Sequence, residues 1–524
     1  MTEQTVSAPP VTGHAIPQPP AATRPALRID ERLRRRGELV RAHPWIAGAV
    51  LLLAISTAIV RWAGTRPGYD PFGWLVWGHL TIHWNLNTNG APSWKPLPYV
   101  FTVPYAVIGH YALWLWMITA VAISLSGVVF AWRIAFRLVA SSAAATPERR
   151  YAAYLAGLFA ACAVLGIRDY THFILSAQSD PMIVALCLGA VDCQLSGRRN
   201  WAFWLWVVAS LGRPEVWPFL GAYSIWLWLR EPPALRMIVA GLAVQPALWF
   251  GIPLFTAKSP FVAGNIALHS PRELHNNKFF GTIDRFFDLH EMPVQLLALA
   301  AVVVAALRRH RVVLVLAGAT VFWVLLEGAF ALHGWPAVPR YLFEPVAMMS
   351  VLGGVALGLG VLELQPLLAT NLARFSPRRF RWLTPRVAGW TTAIAVLAIG
   401  AWMLPSARQR LHIERRDLTH ERARAQELNR LSVVVSRLGA ARILACGQPN
   451  IPIGYQSVLA WYLGTNTGEL YYAPNSLNYK QHPHPIVNLF PLSNGWKVSP
   501  GRVGYARTAA QPAICNRLHL TLRS

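Results

Sequence analysis

The chain has 524 residues, of which 54% are hydrophobic and only 14% are charged, and its formal net charge is +25. Soluble domains carry about 25% charged residues, so this composition excludes an ordinary soluble protein and predicts a multi-pass membrane protein. The basic residues lie in short clusters between apolar runs, which argues against nucleic-acid binding and agrees with the positive-inside rule.

The N-terminal segment, residues 1–44, is rich in Pro and Ala and shows no apolar periodicity. It is therefore predicted to be disordered. A polar leader of this length differs from a cleaved secretory signal, so the first apolar run, from Trp45, is expected to stay as a membrane anchor.

The central part, residues 45–405, is predicted to be an α-helical transmembrane domain. A span needs about 20 apolar residues, and the apolar runs suggest about 11 spans. The candidates are 45–63, 111–135, 151–168, 181–197, 201–212, 215–229, 237–256, 294–307, 312–332, 341–366 and 388–405.

The charges also predict how the chain crosses the plasma membrane. Five arginines before the first span, between residues 32 and 41, place the N-terminus in the cytoplasm, and alternation then puts the later basic clusters on the same side. The loops 64–110 and 257–293 and everything after about residue 406 fall outside. Residues 201–229 are too few for two full spans, so this hairpin is expected to turn within the membrane.

The last part, 406–524, is predicted to form a small extracytoplasmic α/β domain. A charged amphipathic helix is expected at 408–439, a buried strand at 441–447 and a helical turn at 457–464. In an oxidising compartment Cys446 and Cys515 could form a disulfide. The other cysteines, Cys162, Cys187 and Cys193, are expected to be small buried hydrophobes.

A single carboxylate, Asp70, follows the first span in "RPGYDPFGWLVWG", residues 66–78. The aromatic residues after it suit a helix lying in the membrane interface. One interpretation is that Asp70 caps that helix, with Pro71 at the first helical position. The other is a base that takes a proton from an acceptor hydroxyl, and the two are compatible.

Two further residues of the outer loops are candidates for chemistry. Lys95, beside Pro96, could hold a phosphate, although a lone lysine commonly snorkels to lipid headgroups. Asp180 begins a predicted span and could be either a helix cap or a second carboxylate of the site.

The turn "GRPE" places Arg213 and Glu215 at membrane level, where ionisable residues are functional candidates. Arg213 could bind a lipid-linked phosphate, and the equally weighted alternative is a structural Arg–Glu pair. "HGWPAVPRYLFEP" places His333, Arg340 and Glu344 at another outer mouth, where they are predicted to contact substrate. The chain contains no catalytic-triad, Walker or dinucleotide-binding motif and no sequence cluster of metal ligands, so no cofactor is predicted, and a divalent cation stays open.

The early loop acid, in "GYDPFGWLVWG", and the polytopic plan resemble the GT-C class of membrane glycosyltransferases, especially the actinobacterial type. The resemblance implies a sugar donor carried on polyprenyl phosphate at the outer leaflet, with Asp70 as the base. Many members have paired acidic residues in that loop, whereas here Asp70 stands alone and Asp180 is left as the second carboxylate. It also implies that Lys95, Arg213 and Arg340 stabilise the leaving phosphate.

The predicted function is therefore transfer of a hexosyl or pentosyl unit to a cell-envelope glycan, lipid or protein. Aromatic residues of the last domain could hold a glycan acceptor, although such residues are more often core. The alternatives are a transporter or lipid-linked-sugar flippase, and a catalytically silent membrane scaffold. The acceptor-binding candidates are Trp461, Tyr471, Tyr472 and Trp496.

Overall fold

The computed structural model describes residues 44–90, 92–140, 146–268, 270, 272–375, 384–470, 484–493, 495–503, 515 and 520–523. The segment predicted to be disordered lies outside these residues, except for Pro44. Tyr471 and Tyr472 also lie outside them, so their predicted role as acceptor contacts stays a prediction.

Proline marks the start of many helices in the first half of the chain, because its fixed φ suits the first helical turn and its missing N–H costs nothing there. The helices are α1 (Pro44–Ala63), α2 (Tyr69–Ile82), α3 (Pro96–Ala106), α4 (Ala112–Ala140), α5 (Pro147–Leu165), α6 (Tyr170–Leu175), α7 (Asp180–Leu195), α8 (Arg199–Ser210) and α9 (Trp217–Arg230), with 3-10 turns at Gly109–Tyr111 and Pro214–Val216.

The second half of the chain begins with a 3-10 turn at Pro232–Ala234 and includes a π-helical stretch at Ala247–Gly251. A further 3-10 turn, Pro339–Leu342, leads directly into a long helix. The helices are α10 (Leu235–Pro246), α11 (Ile252–Thr256), α12 (Val262–Leu268), α13 (Lys278–Asp288), α14 (Met292–Leu307), α15 (Arg311–Leu332), α16 (Phe343–Phe375) and α17 (Thr384–Leu438).

Five helices of the described residues are long and apolar enough to cross a membrane, or six if the bent pair α13–α14 is one span. The predicted count of about 11 is not confirmed. Helices α8 and α9 have 12 and 14 residues, or about 18 and 21 Å at 1.5 Å per residue, less than the hydrocarbon thickness of about 30 Å. Their short lengths agree with the expected hairpin that turns within the membrane.

Helix α16 packs closely against α5 through small residues. A Cβ on Gly354 would lie 2.4 Å from the carbonyl oxygen of Ala156, so the two backbones touch. Membrane helices commonly associate in this way. Lipid is as apolar as the helices, so the hydrophobic effect does not drive them together, and small residues instead allow close van der Waals packing. The first turn of α16 carries Glu344, which contributes to the site described below.

The C-terminal part differs from the prediction at one element. Helix α17 runs through residue 405 without a break, and the domain boundary at 406 stays a prediction. The strand predicted at 441–447 is wrong, because a helix, α18 (Ala440–Ala445), occupies it. A short apolar run does not distinguish a strand from a helical turn by periodicity alone. The helix expected at 457–464 is confirmed as α19 (Gln456–Leu463).

Four strands form one sheet in the order β1-β2-β3-β4, with β1 parallel to β2 and the other neighbours antiparallel. Pro449 faces Val487, and Trp496 of β3 faces both Pro491 and Leu522. Cys446 and Cys515 form the disulfide that the sequence allowed. The strands are β1 (Gln448–Asn450), β2 (His484–Leu492), β3 (Gly495–Val503) and β4 (Leu520–Arg523).

The contact between α2 and α3 depends on Gly78. A Cβ at this position would lie 2.4 Å from the backbone oxygen of Thr102, so Gly78→Ala must push the two helices apart. We expect a loss of roughly 1–3 kcal/mol in stability, measured as a lower midpoint of thermal unfolding in detergent. Gly318→Ala in α15 is the matched control, because its Cβ would meet no described atom within 4 Å. An equal midpoint for both variants would contradict this packing argument.

Candidate functional site

Three side chains from separate segments form a partly exposed layer. They are Asp70 in the first turn of α2, Lys95 just before α3, and Arg340 in the 3-10 turn before α16. Arg340 Nη2 lies 3.6 Å from Asp70 Oδ2, and the exposed fractions of Arg340 and Asp70 are 17% and 23%. Lys95 is 15% exposed. These three residues are called the open layer. It presents one carboxylate and two cations at a partly exposed surface, where a ligand can reach them.

Neither Asp70 nor Asp180 caps its helix. The N-cap of α2 is Gly68 and that of α7 is Ser179, and each aspartate lies in the first turn, directly before a proline. Both aspartates thus precede a proline at the start of a helix, but neither carboxylate caps its helix. The cap interpretation is therefore wrong for both residues, and their role in the chemistry stays a prediction.

Asp180 lies beneath the open layer and is fully buried. It accepts a hydrogen bond from Arg213, and its Oδ1 lies 3.9 Å from Lys95 Nζ and 4.0 Å from Arg340 Nε. Ser179, next to it, lies with Oγ 3.4 Å from Lys95 Nζ. Asp180 is thus the carboxylate at which all three predicted phosphate-binding cations meet.

Arg213 is enclosed by acidic and aromatic groups. Its guanidinium is 3.7 Å from Glu215 Oε1 and 3.7 Å from Glu344 Oε1, and it stacks 4.1 Å from the ring centroid of Tyr341. It is only 2% exposed. These contacts favour the structural Arg–Glu alternative and extend it to a group of three carboxylates around one arginine.

Glu327 completes this buried layer, and the sequence analysis missed it. It lies in the apolar helix α15, is 1% exposed, and is close enough to Glu215 and Glu344 for their charges to interact, while its Oε1 is buried without a hydrogen-bond partner. The available signal was a glutamate in the middle of an apolar span, which is costly and therefore marks a functional position.

Unfilled hydrogen-bonding capacity is concentrated in the same place. Within the described residues, both carboxylate oxygens of Glu344, Oε2 of Glu215, Oδ2 of Asp180, and Nε and Nη1 of Arg213 are buried without a hydrogen-bond partner. Buried polar atoms are normally paired, so a group of unpaired ones is typical of a functional site.

The surroundings set the charge states at the edge of this site. Burial lowers the pKa of the Lys95 ammonium group, and the Asp180 charge works in the opposite direction. Burial acts to raise the pKa of the Asp180 carboxyl, but Lys95, Arg213 and Arg340 outweigh it and lower that pKa overall. Asp180 is therefore a stable anion that holds the cations in place.

His333 does not join the group. It ends α15, is exposed, and has no hydrogen bond or ion pair to the cluster within the described part of the chain. Trp496 is fully buried and donates from Nε1 to the carbonyl oxygen of Glu427, so it is a core residue. Trp461 is partly buried against His79.

A separate group of potential metal ligands lies between α6 and α17. The ligand atoms of His172, Asp417 and Glu421 all lie within 4.8 Å of one another. His172 Nδ1 is 2.9 Å from Asp417 Oδ2, and this hydrogen bond, together with the Asp417 charge, raises the pKa of His172 against the effect of burial. The sequence held no signal for it, because the histidine and the aspartate are 245 residues apart.

Comparison with known proteins identifies structures of similar fold but no matching protein family. No protein-family model matches the chain, and no curated protein matches it. The structure is similar to ArnT from Cupriavidus metallidurans bound to undecaprenyl phosphate, with 14% identity, 86% of this chain and 93% of ArnT covered, and a TM-score of 0.50. The apo form of ArnT covers the same shares, with 15% identity and a TM-score of 0.48. The chain has an ArnT-like fold, and with its apolar helices it is a multi-pass membrane protein.

Proposed function

We propose that this chain is a membrane glycosyltransferase of the GT-C class that uses a sugar carried on polyprenyl phosphate. The observation that carries the proposal is the open layer, in which a partly exposed carboxylate, Asp70, lies beside the cations Lys95 and Arg340. The fold shared with ArnT, which has been seen bound to undecaprenyl phosphate, supports a donor of this type. The actinobacterial subtype, the sugar and the acceptor are finer proposals that rest on the sequence resemblance.

In the proposed reaction each of these side chains has a separate role. Asp70 takes the proton of an acceptor hydroxyl, whose oxygen forms a bond to the anomeric carbon. The bond from that carbon to the phosphate oxygen breaks, and its electron pair leaves with the polyprenyl phosphate. Lys95 and Arg340 stabilise the charge that grows on this phosphate, and Asp180, which is itself paired with Arg213, holds the two cations from below.

The proposed orientation has the open layer and the C-terminal part outside the cytoplasm. It is supported by the basic clusters of the sequence and by the disulfide between Cys446 and Cys515, because disulfides persist in oxidising compartments. The donor would then be met at the outer leaflet of the plasma membrane, and the acceptor would be a glycan, lipid or protein of the cell envelope.

The direct test is transfer from labelled polyprenyl-phosphate donors, one hexose and one pentose, to a crude cell-envelope acceptor. Membranes carrying the wild-type chain should form labelled product, and control membranes without the chain should not. No product with any donor, at confirmed expression, would contradict the proposal and favour a flippase or a scaffold.

The two open-layer cations should determine donor affinity. Lys95→Ala and Arg340→Ala each remove a charge that faces the phosphate, so the KM for donor should rise about 10- to 100-fold, as expected for a lost charged hydrogen bond of about 1.5–3 kcal/mol. Arg230→Ala, at the exposed end of α9, is the matched control and should keep the wild-type KM. An unchanged KM in both site variants would place the phosphate elsewhere.

A further inference from the structure

The segment Thr65–Tyr69 follows α1, includes the first residue of α2 and ends directly before Asp70. On one side it is fastened to the end of α6 and the turn after it. Thr65 Oγ1 donates to the carbonyl oxygen of Leu175 at 3.0 Å, and the Gly68 N–H donates to that of Ser176 at 2.9 Å. These bonds fix the backbone that leads into the first turn of α2.

The other side of the same segment is held by residues 357 to 387 positions later in the chain. Both Nη atoms of Arg424 lie 3.3 Å from the carbonyl oxygen of Pro67, and Arg66 Nε donates to Asn429 Oδ1 at 3.0 Å. The hydroxyl group of Tyr69 donates a hydrogen bond to Gln456 Oε1 at 2.9 Å. Three of the four residues just before Asp70, namely Arg66, Pro67 and Tyr69, are therefore contacted by α17 or α19.

Helix α19 also packs directly on α2. The rings of Phe72 and Tyr462 lie 6.4 Å apart, edge to face, and those of His79 and Trp461 lie 6.2 Å apart. Gln456 at the start of α19 is 3% exposed, so its bond to Tyr69 is shielded from water. A hydrogen bond that is partly shielded from water is stronger than a fully exposed one.

The Asp70 carboxylate makes few interactions that would hold it in place. Among the described residues its carboxylate makes one ion pair within 4 Å, to Arg340 at 3.6 Å, and it accepts no hydrogen bond from the N-cap region. Its position therefore depends on the backbone that carries it. A displacement of about 1 Å at a reacting group can lower a rate by about 100-fold.

We propose that the C-terminal part of the chain positions the base. In this proposal, which rests on the proposed function, Gln456 and Arg424 are positioning residues that act on Asp70 through Tyr69 and Pro67. The C-terminal part then contributes to transfer by fixing the position of the catalytic carboxylate.

The test uses the full-length chain in detergent or membranes and the pair Tyr69–Gln456. Tyr69→Phe, Gln456→Ala and the double variant are assayed for transfer at varied donor concentration. Each single variant should lower kcat about tenfold or more with an unchanged KM for donor, because the donor cations are untouched. The double variant should be no worse than the single ones, because both remove the same hydrogen bond.

The matched control is Asn450→Ala, which removes a side-chain hydrogen bond of 2.7 Å to Asn488 within the sheet, away from Asp70. It should lower the thermal midpoint and keep kcat. Wild-type kcat in Tyr69→Phe and Gln456→Ala, or an equal loss of kcat in Asn450→Ala, would overturn the proposal.

A second measurement separates this proposal from the proposed function. Amide hydrogen exchange over residues 66–82 should speed up in Gln456→Ala and stay at the wild-type rate in Asn450→Ala. If the wild-type chain transfers no sugar, the proposed function fails while this exchange result still reports whether the C-terminal part holds the Asp70 segment. Unchanged exchange in Gln456→Ala would overturn the positioning role by itself.

Discussion

Asp70→Asn is expected to remove sugar transfer while leaving the protein folded. The amide cannot take the proton of the acceptor hydroxyl, and loss of a positioned base lowers a rate by roughly 10²- to 10⁴-fold. The cost to stability should be small, about 0–1 kcal/mol, because the side chain is partly exposed and forms one ion pair of 3.6 Å. Initial transfer rates in membranes with equal amounts of wild-type and variant protein measure this effect.

The matched control for Asp70→Asn is Asp288→Asn, which makes the same chemical change at an exposed position at the end of α13. It should transfer sugar at the wild-type rate. If Asp70→Asn also retains that rate at equal expression, Asp70 is not the base, and Asp180 becomes the carboxylate to examine.

Arg213→Ala is expected to destabilise the protein more than any other single change at the site. The variant would leave Asp180, Glu215 and Glu344 buried without their shared cation, and breaking a buried ion pair in this way costs about 3–5 kcal/mol. The measurement is the amount of folded, detergent-soluble protein and its thermal midpoint. The sequence allowed Arg213 to contact the donor phosphate directly, but its burial favours the structural result.

A charge-balanced variant makes this prediction specific. Arg213→Met combined with Asp180→Asn removes one cation and one anion together, so the pair should be less destabilised than Arg213→Met alone. Equal stability of the two variants would show that Asp180 is not the main partner of Arg213. Wild-type stability in Arg213→Ala, together with a raised KM for donor, would return Arg213 to the phosphate-binding role.

Local sequence was informative where the chemistry depends on one stretch of chain. The composition predicted a membrane protein, the hairpin at 201–229 was recognised as too short for two spans, and the pair Cys446–Cys515 was identified as a possible disulfide. Seven of the eight predicted site residues lie in one connected group, and His333 is the exception. Each of the seven was found because a charged residue in an apolar or aromatic setting is costly without a purpose.

The failures have physical reasons of two kinds. The strand predicted at 441–447 is a helix, because an apolar run of a few residues carries no decisive period. The span count is not confirmed, because apolar runs such as α7, with 16 residues, pack inside the protein as shorter helices. Glu327 carries the same signal, an acid within an apolar stretch, but no neighbouring residue in the sequence links it to the outer loops, because Glu215 and Glu344 lie on other segments.

The sequence by itself determined that the chain lies in a membrane, which helices start at Asp-Pro, and which types of charged side chain are available at the outer loops. Only the tertiary structure decided which charges meet, since Asp70, Asp180, Arg213 and Arg340 come from four separate segments. It also divided the group into an open layer and a buried layer, and joined the C-terminal part to the base through Tyr69 and Gln456. The reason is physical: helix formation and membrane partition depend on neighbours along the chain, whereas charge pairing depends on distances set by packing across it.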